Sequence, residues 1–138
     1  MADKRREQSE RRAIKMGFSG MKASEELSVI IKAYDLILWF VPIVGRFPRS
    51  HRFVLGERIE KNLYDLLDTL LRAKYQRSRQ ALLAGANINL EILRFQCRLA
   101  KDLELMNAKR YAYAAGLLDD IGREVGGWLK NQSTGATG

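Results

Sequence analysis

Apolar residues recur every three or four positions through four long segments of the chain, a spacing that predicts four amphipathic helices. The first begins at Ser24, a residue type that caps helix N-termini, and is kinked or ended by Pro42. The second runs from about His51 to Tyr75, the third from Arg79 to Met106, and the fourth from its cap Asn107 to Lys130. Because the intervening turns are short and no segment has the pattern of a strand, the sequence predicts an all-α, antiparallel up-down four-helix bundle.

One line of apolar positions in each helix is expected to face the core. The predicted lines are Leu27, Ile30, Ile31, Tyr34, Leu38 and Val41 in the first helix, Ile59, Leu63, Leu66, Leu67, Leu70 and Leu71 in the second, and Tyr111, Ala114, Leu118, Ile121, Val125 and Trp128 in the fourth. The third helix has two lines on nearly opposite sides: Ile88, Ile92, Phe95, Leu99 and Met106, and Leu82, Ala86, Leu93, Cys97 and Ala100. Three glycines within the last two helices predict close contact with a neighbouring helix: Gly85, Gly122 and Gly126.

The chain carries more apolar surface than one bundle buries. Leu36, Trp39 and Ile43 point away from the predicted inner line of the first helix, and the third helix is apolar over more than half its circumference. A large exposed apolar patch is typical of an interface, so these three residues are predicted to mediate self-association. The alternative is that the kink at Pro42 rotates them into the core.

The two ends of the chain differ in composition from the bundle. Residues 1–23 are polar and basic, and they are expected to form a flexible arm. Residues 131–138 are of low complexity and are expected to be a disordered tail. The bundle is therefore predicted to span residues 24–130.

The charge balance favours a polyanionic partner. The chain has 24 Lys and Arg against 16 Asp and Glu, for a net charge of +8. Such an excess suits RNA or DNA, although it could also serve solubility alone.

The single cysteine, Cys97, permits no intrachain disulfide and fits the reducing cytoplasm. The longest apolar run, Leu36–Val44, is too short for a membrane span, which needs about 20 residues.

Basic residues cluster at both predicted ends of the bundle. In the up-down arrangement, the turn between helices one and two and the turn between helices three and four lie at the same end of the bundle. The turn between helices two and three lies at the other end, and a basic track runs between the two ends. The predicted contacts for nucleic acid or a polymerase are Arg46, Arg49, Arg52, Lys101, Lys109 and Arg110 at the first end, Arg72, Lys74, Arg77 and Arg79 at the second, Arg94 and Arg98, which form the track together with Lys101, and Arg123. Few aromatic residues accompany them, so the expected binding is charge-driven, with weak sequence preference and no base stacking. The alternative is a solvated face whose arginines pair with nearby Glu and Asp.

Residue types for catalysis or metal binding are sparse. His51 is the only histidine, and Cys97 lies on an apolar line, so no zinc-site spacing exists. The acidic pairs, such as Asp65 with Asp68, lack the accompanying Glu-x-x-His motifs of two-metal bundles. We predict no catalytic residues, no metal, no cofactor, no small-molecule substrate and no enzymatic activity.

Two segments resemble a known family. They are WFVPIVGRFPRSHRFVLGERIE, residues 39–60, and NLEILRFQCRLAKDLELMNAKRYAYAAGLLDDIGREVGGWLK, residues 89–130. Together they resemble the accessory variability determinant proteins of diversity-generating retroelements, with a likeness extending over residues 26–130. The resemblance implies a homopentameric barrel of four-helix subunits. It also implies a non-catalytic protein that joins a reverse transcriptase and its template RNA or cDNA in mutagenic retrohoming.

Other classes are also compatible with the sequence. The four-helix proteins encoded in intervening sequences of ribosomal RNA genes are related in fold and have a similar proline–basic turn. A helical adaptor that binds only protein would fit the surplus apolar surface. An amphipathic protein bound to a membrane surface would fit the basic arm but not the buried-looking helices.

Overall fold

The computed structural model describes residues 21–135, which are helical except for short turns. The elements are α1 (Met21–Val44), α2 (Arg49–His51), a π-helical turn (Arg52–Gly56), α3 (Glu57–Tyr75), α4 (Gln80–Asp102) and α5 (Ala108–Gly135). Because α2, the π turn and α3 follow one another without a break, they act as one rod. The described residues therefore form four long helices without a strand, which confirms the predicted all-α class.

The four rods lie side by side in alternating directions. α1 packs against α3 and α5, and α4 packs against the same two helices. α1 and α4 consequently occupy opposite corners of the bundle. The α1–α2 turn and the α4–α5 loop lie at one end, and the α3–α4 turn lies at the other. This is the predicted up-down arrangement.

The helix boundaries agree with the sequence in part. Asn107 is confirmed as a cap, because its Oδ1 accepts a hydrogen bond of 2.8 Å from the backbone N–H of Arg110. Ser24 is not a cap, since it lies inside α1. α4 ends at Asp102, short of the predicted Met106. Glu104 adopts a φ of 62°, in the left-handed region, where a right-handed helix cannot continue.

The first and last helices both extend into the predicted tails. α5 continues to Gly135, five residues beyond the expected end of the bundle at residue 130. Of the predicted basic arm, residues 21–23 belong to α1, whereas residues 1–20 lie outside the described residues. Residues 136–138 of the predicted tail also lie outside them.

The core is built largely from the predicted lines of α3 and α5. In α3 four of the six predicted positions are buried, and Leu67 and Leu71 pack against them. In α5 five of the six are buried, and Tyr111 is half-buried. In α4 the line with Leu93 and Cys97 faces the core and the line with Phe95 faces outward, with only its last member, Met106, buried.

The first half of α1 faces the core as predicted, with Leu27, Ile30 and Ile31 buried, whereas its second half is rotated relative to the prediction. Leu36 and Ile43 belong to the core, together with Phe40, whereas the predicted core residues Tyr34 and Leu38 are exposed. Both faces of α1 repeat at alternating steps of three and four, so spacing does not choose between them. The buried face is wholly apolar, and the other contains a tyrosine whose hydroxyl favours contact with water.

By length and composition α1 could cross a membrane. Residues Ser24–Val44 have a mean hydropathy of 1.9, although no apolar run within them exceeds nine residues. Half of that window is buried inside the bundle, as is usual for a core helix. Packing against α3 and α5 accounts for the buried half of this window.

The glycines do not mark close helix contacts as predicted. A Cβ at Gly85 or Gly126 would meet no atom within 4 Å, so no helix backbone approaches there. A Cβ at Gly122 would lie 2.6 Å from a guanidinium nitrogen of Arg94, which is a side-chain contact. The tight position is Gly56, where a Cβ would lie 2.8 Å from Cγ1 of Val44.

Candidate nucleic-acid interface

Basic side chains from two separate turns lie at the same end of the bundle. The α1–α2 turn and the first residues after it contribute Arg46, Arg49 and Arg52. The α4–α5 loop and its flanks contribute Lys101, Lys109 and Arg110. We call this set of six residues the cationic end. The alternating helix directions place the two groups at the same end of the bundle, as predicted.

The cationic end is not neutralised by neighbouring carboxylates. Among the residues whose side chains are described, 24–132, no ion pair within 4.0 Å joins any of its six members to Asp or Glu. The guanidinium of Arg52 donates to the carbonyl oxygen of Gly45 at 3.4 Å. The Lys101 ammonium lies 5.0 Å from the ring centroid of Tyr111. These contacts orient the side chains and leave their positive charges uncompensated.

Two of the three residues of the predicted basic track, Arg94 and Arg98, are paired with carboxylates, and so is Arg123 on the neighbouring helix. Arg94 pairs with Glu91 on α4 and reaches Asp119 on α5, with 3.4 Å between Nε and Oδ1. Arg98 lies 4.0 Å from Asp102, and Arg123 pairs with Asp120. The expectation of an open row of positive charges between the two ends is therefore wrong. The alternative drawn from the sequence, a solvated face of paired charges, holds for Arg94 with Glu91 and Arg98 with Asp102, whereas Lys101 has no ion pair with Glu104.

At the opposite end, two of the four predicted contacts serve packing. Arg79 lies 2.8 Å and Lys74 3.7 Å from the two oxygens of Glu26, which ties the α3–α4 turn to α1. The Lys74 side chain is only 8% exposed, and Arg79 also lies over the ring of Trp128. Arg72 and Arg77 are exposed and have no ion pair among residues 24–132. This end thus offers two open cations, compared with six at the cationic end.

An exposed aromatic residue lies within the cationic end. Phe53, in the π turn, is 53% exposed, and its ring centroid is 5.1 Å from Cζ of Arg52 and 5.9 Å from Cζ of Arg49. Phe53 directly follows Arg52 but is not among the contact residues predicted from the sequence. Its exposure depends on the π turn, and apolar spacing alone gives no signal for such a turn.

Two exposed apolar faces lie on opposite corners of the bundle. On α4, Ile88 and Phe95 are 64% and 68% exposed, and they line an open groove with Ile92 and Leu99. On α1, Tyr34 and Leu38 are exposed. We call these the α4 face and the α1 face.

The surplus apolar surface therefore exists, but the predicted residues do not form it. Leu36 and Ile43 are buried in the chain's own core, because the line they share with Phe40 faces the bundle axis. Trp39 is half-buried, with its ring 4.9 Å from that of Tyr113 on α5. The alternative in which these residues turn into the core is correct for Leu36 and Ile43.

The comparison with protein families agrees with the architecture. Residues 28–132, which are 105 of the 138, match the family described as bAvd-like. The chain belongs to the bAvd-like family. This confirms the resemblance to the accessory variability determinants of diversity-generating retroelements, an accessory family. No curated protein matches the chain.

The matched region of this bAvd-like protein includes every residue of the cationic end and both apolar faces. Cys97 also lies within it and is confirmed as a core residue, since it is buried and burial raises the pKa of its thiol to about 12. A thiol with so high a pKa is almost entirely protonated at neutral pH, which makes it a poor nucleophile. Among the described residues, no group of three His, Cys, Asp or Glu side chains is placed to hold a metal ion.

Proposed function

We propose that this bAvd-like protein is a non-catalytic, oligomeric subunit that holds template RNA or cDNA beside a reverse transcriptase during mutagenic retrohoming, in the cytoplasm. In this proposal the cationic end is the surface that binds the nucleic acid. Family membership supports the accessory role, and the distribution of charge supports the choice of surface.

The observation that carries the proposal is the unequal pairing of basic residues. All six members of the cationic end lack a carboxylate partner among residues 24–132, whereas Arg94, Arg98 and Arg123 on the side of the bundle are paired. An unpaired cation can neutralise a phosphate without first breaking an ion pair, and each such contact releases counterions from the nucleic acid. The cationic end is therefore the more favourable of the two surfaces for a polyanion.

The two apolar faces support self-association into a ring. Because they lie at opposite corners, the α4 face of one chain can pack on the α1 face of the next. Contacts between different surfaces continue around a closed ring, whereas a two-fold dimer uses the same surface twice. We propose that the ring has the five members implied by the family. Five chains at +8 would carry a net charge of +40, which strengthens the field felt by RNA or DNA.

The salt dependence of RNA binding tests the proposed function. We expect the logarithm of the association constant to fall with the logarithm of salt concentration, at about −0.7 per phosphate contact for a single strand. Six contacts per chain give a slope of about −4, or a loss of two to three orders of magnitude between roughly 50 and 200 mM salt. Fluorescence anisotropy of a labelled RNA at several salt concentrations measures this slope.

A slope near zero, or no RNA binding at low salt, would contradict the proposal and favour a helical adaptor that binds only protein. A reverse-transcriptase gene beside this one is expected, and co-purification with its product tests the second partner. If the neighbouring gene encoded ribosomal RNA instead, the function would be that of an intervening-sequence protein. Flotation with liposomes distinguishes a membrane-surface protein.

A further inference from the structure

The π turn exposes Phe53 at a fixed position. Phe53 and Val54 are 53% and 59% exposed, whereas the next two residues, Leu55 and Gly56, are buried. A π turn holds one more residue per turn than an α-helix, so it changes which side chains face outward, and such turns are frequent at functional sites. The close packing of Gly56 on Val44 and Leu55 in the core hold this turn against the end of α1. The exposed ring is therefore part of a rigid surface.

Two groups that can bind phosphate flank the ring. The guanidinium carbons of Arg49 and Arg52 lie 5.9 and 5.1 Å from the ring centroid of Phe53, within the usual distance of a cation–π contact. Neither arginine has an ion pair among residues 24–132. One aromatic ring and two available cations thus occupy about one turn of helix.

This combination matches the chemistry of an unpaired nucleotide. An aromatic side chain stacks on the face of a base, while arginines beside it contact the adjacent phosphates. In a duplex the faces of the bases are covered by their neighbours, so only a single strand can use the ring. We propose that Phe53 is a stacking platform for an unpaired base, which makes the cationic end selective for single-stranded RNA or cDNA over duplex. This inference rests on the proposed function and differs from the sequence-based expectation of binding without base stacking.

The test compares one single strand with a duplex of equal length, using three variants. We expect Phe53→Ala to weaken binding of an unstructured RNA or oligo(dT) strand about five- to hundredfold, the range found for lost stacking contacts, and to change duplex binding by less than about twofold. Phe53→Trp should retain binding, and its indole fluorescence should be quenched by the strand. Val54→Ala, which removes a neighbouring exposed side chain without a ring, should change both affinities by less than about twofold. Circular dichroism checks that all three variants are folded.

The outcomes separate this inference from the proposed function. If Phe53→Ala weakened both ligands equally, or neither, base stacking would be excluded, while salt-dependent binding by the wild type would leave the proposed function standing. In that case the arginines only cover the ring. If the wild type bound neither ligand at low salt, both the inference and the proposed function would be wrong.

Discussion

Replacing Phe95 with aspartate is expected to dissociate the assembly into single chains that remain folded. Phe95 is 68% exposed in the single chain, so the fold loses little when the ring is removed. In the proposed ring the same side chain is buried against the α1 face of the next subunit. Burial of a Phe side chain contributes on the order of 1.5–3 kcal/mol, and a carboxylate placed in an apolar contact adds a further desolvation cost. Because the change occurs at every interface, its effect is repeated around the ring.

Size-exclusion chromatography with light scattering measures this effect. The wild type is expected at about 79 kDa, the mass of five chains of 15.8 kDa, and Phe95→Asp at 15.8 kDa. Tyr75→Asp is the matched control, because Tyr75 is an aromatic residue with 69% exposure that lies outside both apolar faces. The control should keep the mass of the wild type. A wild type that is monomeric, or a Phe95→Asp variant that stays assembled, would rule out the α4 face as the interface.

Removing two charges from the cationic end should weaken RNA binding much more than removing two charges from the opposite end. The comparison is between Arg46→Gln with Arg49→Gln and Arg72→Gln with Arg77→Gln. All four arginines are exposed and have no ion pair among residues 24–132, and each double variant lowers the net charge from +8 to +6. Any difference therefore reflects position rather than total charge.

We expect the first double variant to reduce the affinity for single-stranded RNA roughly tenfold or more at about 0.1 M salt, and to make the salt slope shallower by about 1.4. The second double variant should lower affinity only through the long-range field, by about threefold or less. Fluorescence anisotropy titrations at several salt concentrations give both quantities. Equal losses in the two variants would mean that the whole molecule, and not one end of it, attracts the RNA.

The orientation of a helix was predictable where only one line of apolar residues could face the core. α5 has one heptad-like line that begins after a capping asparagine, and Ala114, Leu118 and Val125 are buried as expected. α1 has two lines with equivalent spacing, so its rotation depended on which line the neighbouring helices cover. The sequence supplied the number and order of the helices but not the angular position of α1 in the bundle.

The sequence predicted which residues of the candidate site are basic, but it did not predict which of them are unpaired in the folded chain. Both turns were recognised as basic, and ion pairs within one helix, such as Arg98 with Asp102, follow from a spacing of three or four residues. An ion pair between two helices has no such signal in the sequence. Arg94 shows this, because its partner Asp119 is on α5 and 25 positions away in the sequence. Phe53 was missed for a different reason: it lies in a local π turn, and the spacing of apolar residues does not predict its exposure. The number of charged residues therefore overestimates the unpaired positive charge along the track, and it gives no sign of the exposed aromatic ring.

Lysine footprinting on the unmodified protein tests most directly whether the cationic end is the surface that holds nucleic acid. The acetylation rates of individual lysines are compared by mass spectrometry with and without saturating single-stranded RNA. Lys101 and Lys109 belong to the cationic end, and Lys130 is an exposed lysine near the far end of α5. We predict that RNA slows acetylation of Lys101 and Lys109 and leaves Lys130 unchanged. Equal protection of all three lysines, or protection of Lys130 alone, would contradict the account.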